Sequence, residues 1–278
     1  LLAVCAYWSY TCVAHGCVLA QEEIAVKVDM LVQDYIQHLP DNIIFTDYIQ
    51  DVSVVSESLL GVSSSLFLGS NLKNRLNIES NITRKVIHVF SGPLYLESWK
   101  FYSDTHIGHY FSTIVPIFIL IGLYLNKNKD IGSLISRDSK ELNITSNIGL
   151  SSGPFIYINV LLILNLIGWK DIHSILAIAN MAYGDGFSDI VGRRYGKRKW
   201  NFNKSKSLVG SCAFLCFSIL GSLIHLNSYN YNIDLKLLST IILHSGIVSF
   251  IEIIPFGDDN INVPLSSYLL SHILFTDI

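Results

Sequence analysis

The chain is poor in charge and in paired cysteines. Only 15 % of its 278 residues are Asp, Glu, Lys or Arg, against about 25 % in ordinary soluble domains. A disordered chain needs low hydrophobicity and high net charge, so disorder is excluded. The net charge of −3 provides no global field for gripping polyanions, and no nucleic-acid partner is expected. Cys5, Cys12, Cys17, Cys212 and Cys216 form no CxxC pair, which argues against a zinc site or a thioredoxin-type motif. All five sit in apolar runs and read as small buried hydrophobes.

What the chain has in abundance is apolar sequence: half of its residues are hydrophobic. One soluble core could not hide so many unbroken apolar runs, so an all-α, multi-pass transmembrane bundle is expected. About twenty apolar residues span a bilayer. Ile107–Leu125, Ile148–Trp169 and Leu208–Leu226 come close to that length without charge. Shorter runs lie at Val86–Leu96, Ile172–Gly184, Leu237–Ile251 and Ile261–Phe275. Val52–Ser70 is a weaker candidate because of Glu57 and its many serines. Together these predict roughly six to eight helices. Alternating segments of the kind that build a membrane β-barrel do not dominate.

Leu1–Ala20 carries no Asp, Glu, Lys or Arg and reads as a leader or a first membrane helix. Residues 1–80 hold nine acids and three bases, and are expected to form an accessory region. The membrane core is expected over residues 81–278. The core has thirteen acids and sixteen bases, and seven of the nineteen Lys and Arg fall between Arg193 and Lys206. The two basic loops, Asn126–Leu142 and Gly192–Lys206, are expected on one membrane face. The sequon at Asn203 lies inside the second loop and reads as chance. No internal repeat is evident, and no signal for an oligomeric state.

Charges within apolar segments are expensive and so point to function. Asp185 and Asp189 are four residues apart and would share one helical face. Two carboxylates so placed repel unless a cation lies between them, and a hard cation such as Mg2+ takes oxygen ligands and arrives with phosphates. Gly192 and Gly196 would let backbone approach a ligand closely. Arg193, Arg194, Lys197, Lys204 and Lys206 supply positive charge. Each feature alone has a plainer reading: a basic loop as a topology signal, spaced glycines as helix packing. Jointly they describe a site for a nucleoside triphosphate, though neither a Walker A loop nor a protein-kinase glycine loop.

Two further clusters stand out. Near the C-terminus, Pro255 and Gly257 predict a break in which Asp258, Asp259 and Asn260 could face a metal or a substrate hydroxyl; the alternative is a solvated turn. Arg84 and His88 share a helical face and suit either phosphate contact or an interfacial anchor.

These segments resemble the polyprenol kinases, most closely the phytol and farnesol kinase group. Arg84-Lys85-Val86-Ile87-His88 looks like the family's RKxxH. Ser136–Leu142 and Gly153-Pro154 are similar to its SRxxxxEL and GP elements. Gly184–Gly196 resembles its signature GDGxADxxGRxxG, and Asn203–Ser211 its KSxxGS. Glu252, Pro255, Asp258-Asp259-Asn260 and Val263-Pro264 resemble the terminal ExxP and DDNxxVP. Ser188 stands where Ala is commoner, and Lys100 where Pro is usual.

The resemblance implies a membrane enzyme that phosphorylates the terminal hydroxyl of a long-chain isoprenoid alcohol, with CTP as donor and Mg2+ as cofactor, in a plastid-type or endoplasmic reticulum membrane. Asp185 and Asp189 are expected on the metal. Gly184, Gly186, Gly192, Arg193, Gly196, Lys197, Lys204, Lys206, Ser207, Arg84 and His88 are expected on nucleotide or phosphate. Asp258 or Asp259 would orient or deprotonate the alcohol, with Glu252 and Asn260 positioning it. The rival expectations are a CTP-dependent cytidylyltransferase acting on a lipid phosphate and an ion-coupled transporter, which would show paired broken helices in a repeat.

Overall fold

The structure is a computed structural model and describes residues 43–76, 80–125, 153–255 and 257–276. Leu1–Ala20, the basic loop Asn126–Leu142 and the segment Ser136–Leu142 lie outside the described residues. Those described are mostly helical, with one isolated bridge, between Lys199 and Ser207. The helices are α1 (Ile43–Leu76), α2 (Ser80–Ser98), α3 (His106–Leu125), α4 (Gly153–Gly168), α5 (Ile172–Ala179), α6 (Gly186–Tyr195), α7 (Leu208–Ser228), α8 (Leu235–Ile253) and α9 (Asp259–Leu274). A π-helical turn, Asn180–Asp185, joins α5 to α6 without a break. The all-α class expected from hydropathy holds.

Among the described residues, four helical stretches are long and apolar enough to cross a membrane: Phe45–Gly69, His106–Tyr124, Leu208–Ser228 and Leu235–Ile253. The first is the Ser-rich stretch that looks weakest in sequence. Its serines turn back on their own helix: Ser56, Ser58, Ser63 and Ser64 donate to the carbonyls of Val52, Val54, Leu59 and Leu60, at 2.7–3.1 Å. A hydroxyl satisfied in this way does not oppose burial in an apolar setting. The run expected over Ile148–Trp169 is shorter where described. Helix α4 begins at Gly153-Pro154, with proline in the first turn where its missing N–H costs nothing, and ends at Gly168.

The continuous rod α5–π–α6 is the axis of the bundle. It packs against α2, α4, α7, α8 and α9, while α1 lies along α2 and α3. Ile175, Leu176, Ile178 and Met181 on the rod meet Trp99, Tyr157, Leu161, Leu226, Leu237 and Ile241 in one buried cluster. Large apolar side chains point outward on the helices around it, among them Ile163, Leu166, Leu220, Ile224, Leu243 and Phe250. Helix α1 falls in the region expected to be accessory, yet it buries Val54, Val62 and Asp51 against the helices that follow.

Candidate active site

Among the described residues, the segments around Arg84, Gly153-Pro154, Asp185–Arg193, Lys206-Ser207, Glu252 and Asp258–Asn260 arrive at the same end of the bundle, each through its own local structure. Asp185 is the last residue of the π-turn, so the carboxylate enters the interior as α6 begins. Such turns are rare and occur often at functional positions. Lys85, near the start of α2, donates to Asp185 Oδ2, and the two side chains are 8 % and 2 % exposed. A buried carboxylate without a partner would be very costly, and Lys85 offsets that charge.

The loop after α6 is held by its own backbone. Trp200 N–H donates to the Lys206 carbonyl at 3.1 Å and Leu208 N–H to that of Arg198 at 3.1 Å. Asn203, the sequon residue, is buried; its amide donates to the Ile253 carbonyl at 2.8 Å and so ties the loop to α8. Ser207 then caps α7, its Oγ accepting from Gly210 N–H at 3.1 Å.

Helix α8 ends at Ile253. Ile254 is extended, as a residue before proline must be, and Gly257 takes φ +71°, a left-handed value that favours glycine. Asp258 caps α9: its Oδ1 accepts from Asn260 N–H at 2.9 Å and from the Asn260 amide at 2.8 Å.

These elements enclose a cavity of about 540 Å³. Its wall includes Arg84, Lys85, Asp185, Ser188, Asp189, Gly192, Arg193, Lys199, Lys206, Ser207, Gly210, Glu252, Asp258, Asp259 and Asn260. Three helix N-termini reach it: Gly153-Pro154 of α4, Ser207 of α7 and Asp258 of α9. N-terminal amides and the helix dipole favour anions there.

Asp185, Glu252 and Asp259 each bring one carboxylate oxygen within 4.8 Å of the others. Lys206 Nζ donates to Glu252 Oε1 and, at 2.7 Å, to Asp259 Oδ2. Ser188 Oγ also donates to Glu252 Oε1, at 3.3 Å. Glu252 Oε2 is buried and, among the described residues, has no hydrogen-bond partner. Burial works against the Lys206 ammonium, but Glu252, Asp185 and Asp259 overcome it and hold its pKa above the ordinary lysine value. Burial lifts the Asp259 carboxyl above the usual range; Lys206 opposes the rise and Asp185 adds to it.

The expected site residues divide into four groups. Asp185, Asp189, Gly192, Arg193, Lys206, Ser207, Arg84, Glu252, Asp258, Asp259 and Asn260 meet at the cavity. Asp189 lines it as the four-residue spacing predicts, but bonds Arg193 Nε at 2.7 Å and stands outside the triple carboxylate cluster. Gly184 and Gly186 lie against neighbouring helices and Gly196 against the Ser207 cap of α7, and none of the three lines the cavity. A Cβ on Gly184 would collide with Ser218 Oγ, one on Gly186 with the Val89 side chain, and one on Gly196 with Ser207 Oγ. Lys197 and Lys204 are exposed and do not line the cavity. His88 is buried behind the wall, stacked on Tyr157 at 4.0 Å, while its carbonyl accepts from the Tyr157 hydroxyl at 2.9 Å. Lys85, Ser188 and Lys199 are cavity residues that the sequence does not single out as part of a site. Lys85 carries a signal, a base next to Arg84 at the head of an apolar run; Lys199 is one of the seven bases between Arg193 and Lys206, and Ser188 lies within the signature segment.

The chain is 32 % identical over 243 residues to a probable phytol kinase, chloroplastic, of Zea mays, covering 82 % of this chain and 78 % of that one. The chain belongs to the phytol kinase family. It is also 34 % identical over 218 residues to probable phytol kinase 1, chloroplastic, of Oryza sativa subsp. japonica, covering 73 % and 68 % of the two chains. Phytol kinase 1, chloroplastic, of Arabidopsis thaliana is 26 % identical over 241 residues, covering 82 % of this chain and 77 % of its own. No protein-family profile matches the chain. No solved structure matches it.

Proposed function

We propose that this member of the phytol kinase family is a multi-pass membrane enzyme that moves the terminal phosphoryl group of CTP to the terminal hydroxyl of a long-chain isoprenoid alcohol such as phytol, geranylgeraniol or farnesol. The observation that carries the reading is the convergence of Asp185, Glu252 and Asp259 with Lys85 and Lys206 beneath three helix N-termini. Anion-seeking and cation-seeking groups share one cavity, as a metal–triphosphate requires. A plastid membrane is the reading favoured by the relatives' names, which include "chloroplastic".

The residues fit a hard divalent cation such as Mg2+. All donors are oxygens, and the buried Glu252 Oε2 lacks a partner. Asp185, Glu252 and Asp259 would hold the ion, which supplies charge neutralisation on phosphate oxygens. Phosphoryl transfer asks a protein mainly for positioning and neutralisation. Lys206, Arg193 and Lys199 line the cavity and would bind the phosphates, together with the N-termini of α7 and α9. Asp258 accepts both of its capping bonds on Oδ1. Its second oxygen is the candidate to orient the acceptor hydroxyl and take up its proton. The cavity wall is polar, so it suits the reacting head groups, with the isoprenoid tail left to the apolar bilayer.

The test is to incubate membranes carrying the protein with a panel of prenols and each labelled nucleoside triphosphate. Labelled prenyl monophosphate, made best from CTP, is the expected product. No labelled prenyl phosphate above the level of membranes carrying Asp185→Asn would overturn the reading.

A further inference from the structure

Two lysines balance the three carboxylates, and they do so differently. Lys85 is 8 % exposed and, among the described residues, is paired with Asp185. Lys206 is 21 % exposed, stands at the cavity edge, and bridges Glu252 and Asp259. It therefore satisfies two of the three groups whose oxygens lie within 4.8 Å of one another. A divalent ion among those oxygens would share two ligands with an ammonium, and two positive centres on the same carboxylates repel. The Lys206 backbone is fixed: its N–H donates to the Asn203 carbonyl at 3.3 Å and its carbonyl accepts from Trp200 at 3.1 Å. Its side chain is a flexible four-carbon stem with a compact charge. The backbone can stay in place while the ammonium moves.

We propose that Lys206 is the resident counter-ion of the carboxylate cluster and is exchanged for the divalent cation as a triphosphate enters, so that cation and triphosphate load together. This rests on the reading of Asp185, Glu252 and Asp259 as the cation site. Before loading, Lys85 and Lys206 face three carboxylates. After loading, the cation takes the place of Lys206, and the displaced ammonium finds a phosphate in the same cavity. Glu252 Oε2, buried without a partner, is an acceptor that neither lysine uses and that an ion would satisfy. Triphosphate thus favours cation binding and cation favours triphosphate binding, by the same factor. The substrate is the metal–nucleotide complex, and free cation alone binds weakly because it must expel Lys206 with nothing to receive it.

The test measures Mn2+ binding by electron paramagnetic resonance on the purified full chain without nucleotide. Lys206→Met is expected to bind Mn2+ about tenfold more tightly than the wild type, and Lys206→Arg, which keeps the positive charge, to bind it weakly. Asp185→Asn and Glu252→Gln are expected to lose binding. If the carboxylate variants lose Mn2+ but Lys206→Met binds it no better than wild type, the exchange is wrong and the cation site stands. If Asp185→Asn and Glu252→Gln bind as wild type does, the cation site itself is wrong and the exchange falls with it. A second measurement needs no variant: amine acylation of Lys206 in the wild type, read by mass spectrometry. Labelling should rise as Mn2+ alone is titrated to saturation, and flat labelling at saturation would overturn the exchange.

Discussion

Asp51 on α1 and Glu252 on α8 are both withdrawn from water, at 0 % and 2 % exposure, yet the two ends of α2 near which they sit treat a carboxylate differently. Asp51 meets the segment just beyond the end of α2. Its Oδ1 accepts from Ser103 N–H and its Oδ2 from Ser103 Oγ, both at 2.8 Å. Among the described residues, it belongs to no cluster of converging carboxylates. Glu252 lies near the start of α2, crowded by Asp185 and Asp259, with one oxygen shared by Lys206 and Ser188 and the other without a partner. A lone carboxylate with both oxygens bonded holds a fold together. Three converging carboxylates, one of them with an unsatisfied oxygen, describe a site built for something else.

That contrast breaks most sharply on the carboxylate cluster. Asp185→Asn and Glu252→Gln should each cut turnover per inserted molecule by roughly 10²–10³; initial rates of prenyl phosphate formation, normalised to the protein present in the membrane, check this. Asp51→Ala should do the reverse. Losing both acceptors of Ser103 should cost about 1–3 kcal/mol of stability, seen as a lower thermal midpoint in detergent, with the turnover of the folded fraction unchanged.

Asp189 offers a finer test. Its carboxylate faces the cavity but is committed to Arg193 one turn on. Asp189→Asn should cost roughly tenfold, mostly as a higher KM for nucleotide, measured by steady-state titration. The smallest effect belongs to Glu97, at the other end of α2, which bonds His225, Ser228 and Lys100. Its side chain is 30 % exposed, so Glu97→Gln should shift stability by no more than about 1 kcal/mol and leave turnover alone.

Much of the cluster is legible in the amino-acid sequence. Asp185 is visible because an acid in an apolar run is expensive, and Asp259 because Pro255 and Gly257 announce a break. What the sequence cannot show is which side chains meet. Asp185 and Glu252 are brought together only when the π-turn delivers one and the end of α8 the other. The glycines mislead for a related reason. Gly184 and Gly186 sit in the signature, but the space they leave is filled by Ser218, Phe214 and Val89, so helices rather than ligand make the close approach. Hydropathy undervalues helix α1 because it counts serine as polar, whereas on a helix the serine hydroxyl bonds a carbonyl one turn back. His88 shares a face with Arg84, as the spacing predicts, but one more turn along α2 carries it past the cavity and behind Tyr157.

Whether the cavity transfers a phosphoryl group to an alcohol is decided by following the label. Membranes carrying the protein would be given phytol and Mg2+ with CTP labelled at either the α or the γ phosphorus. The γ label is expected to enter phytyl monophosphate and the α label to stay in CDP, and both results should vanish in Glu252→Gln. With phosphatidic acid supplied as a lipid-phosphate acceptor, release of the γ label as pyrophosphate, with the α label carried into lipid as the CDP-lipid, would contradict it and mark the enzyme as a cytidylyltransferase.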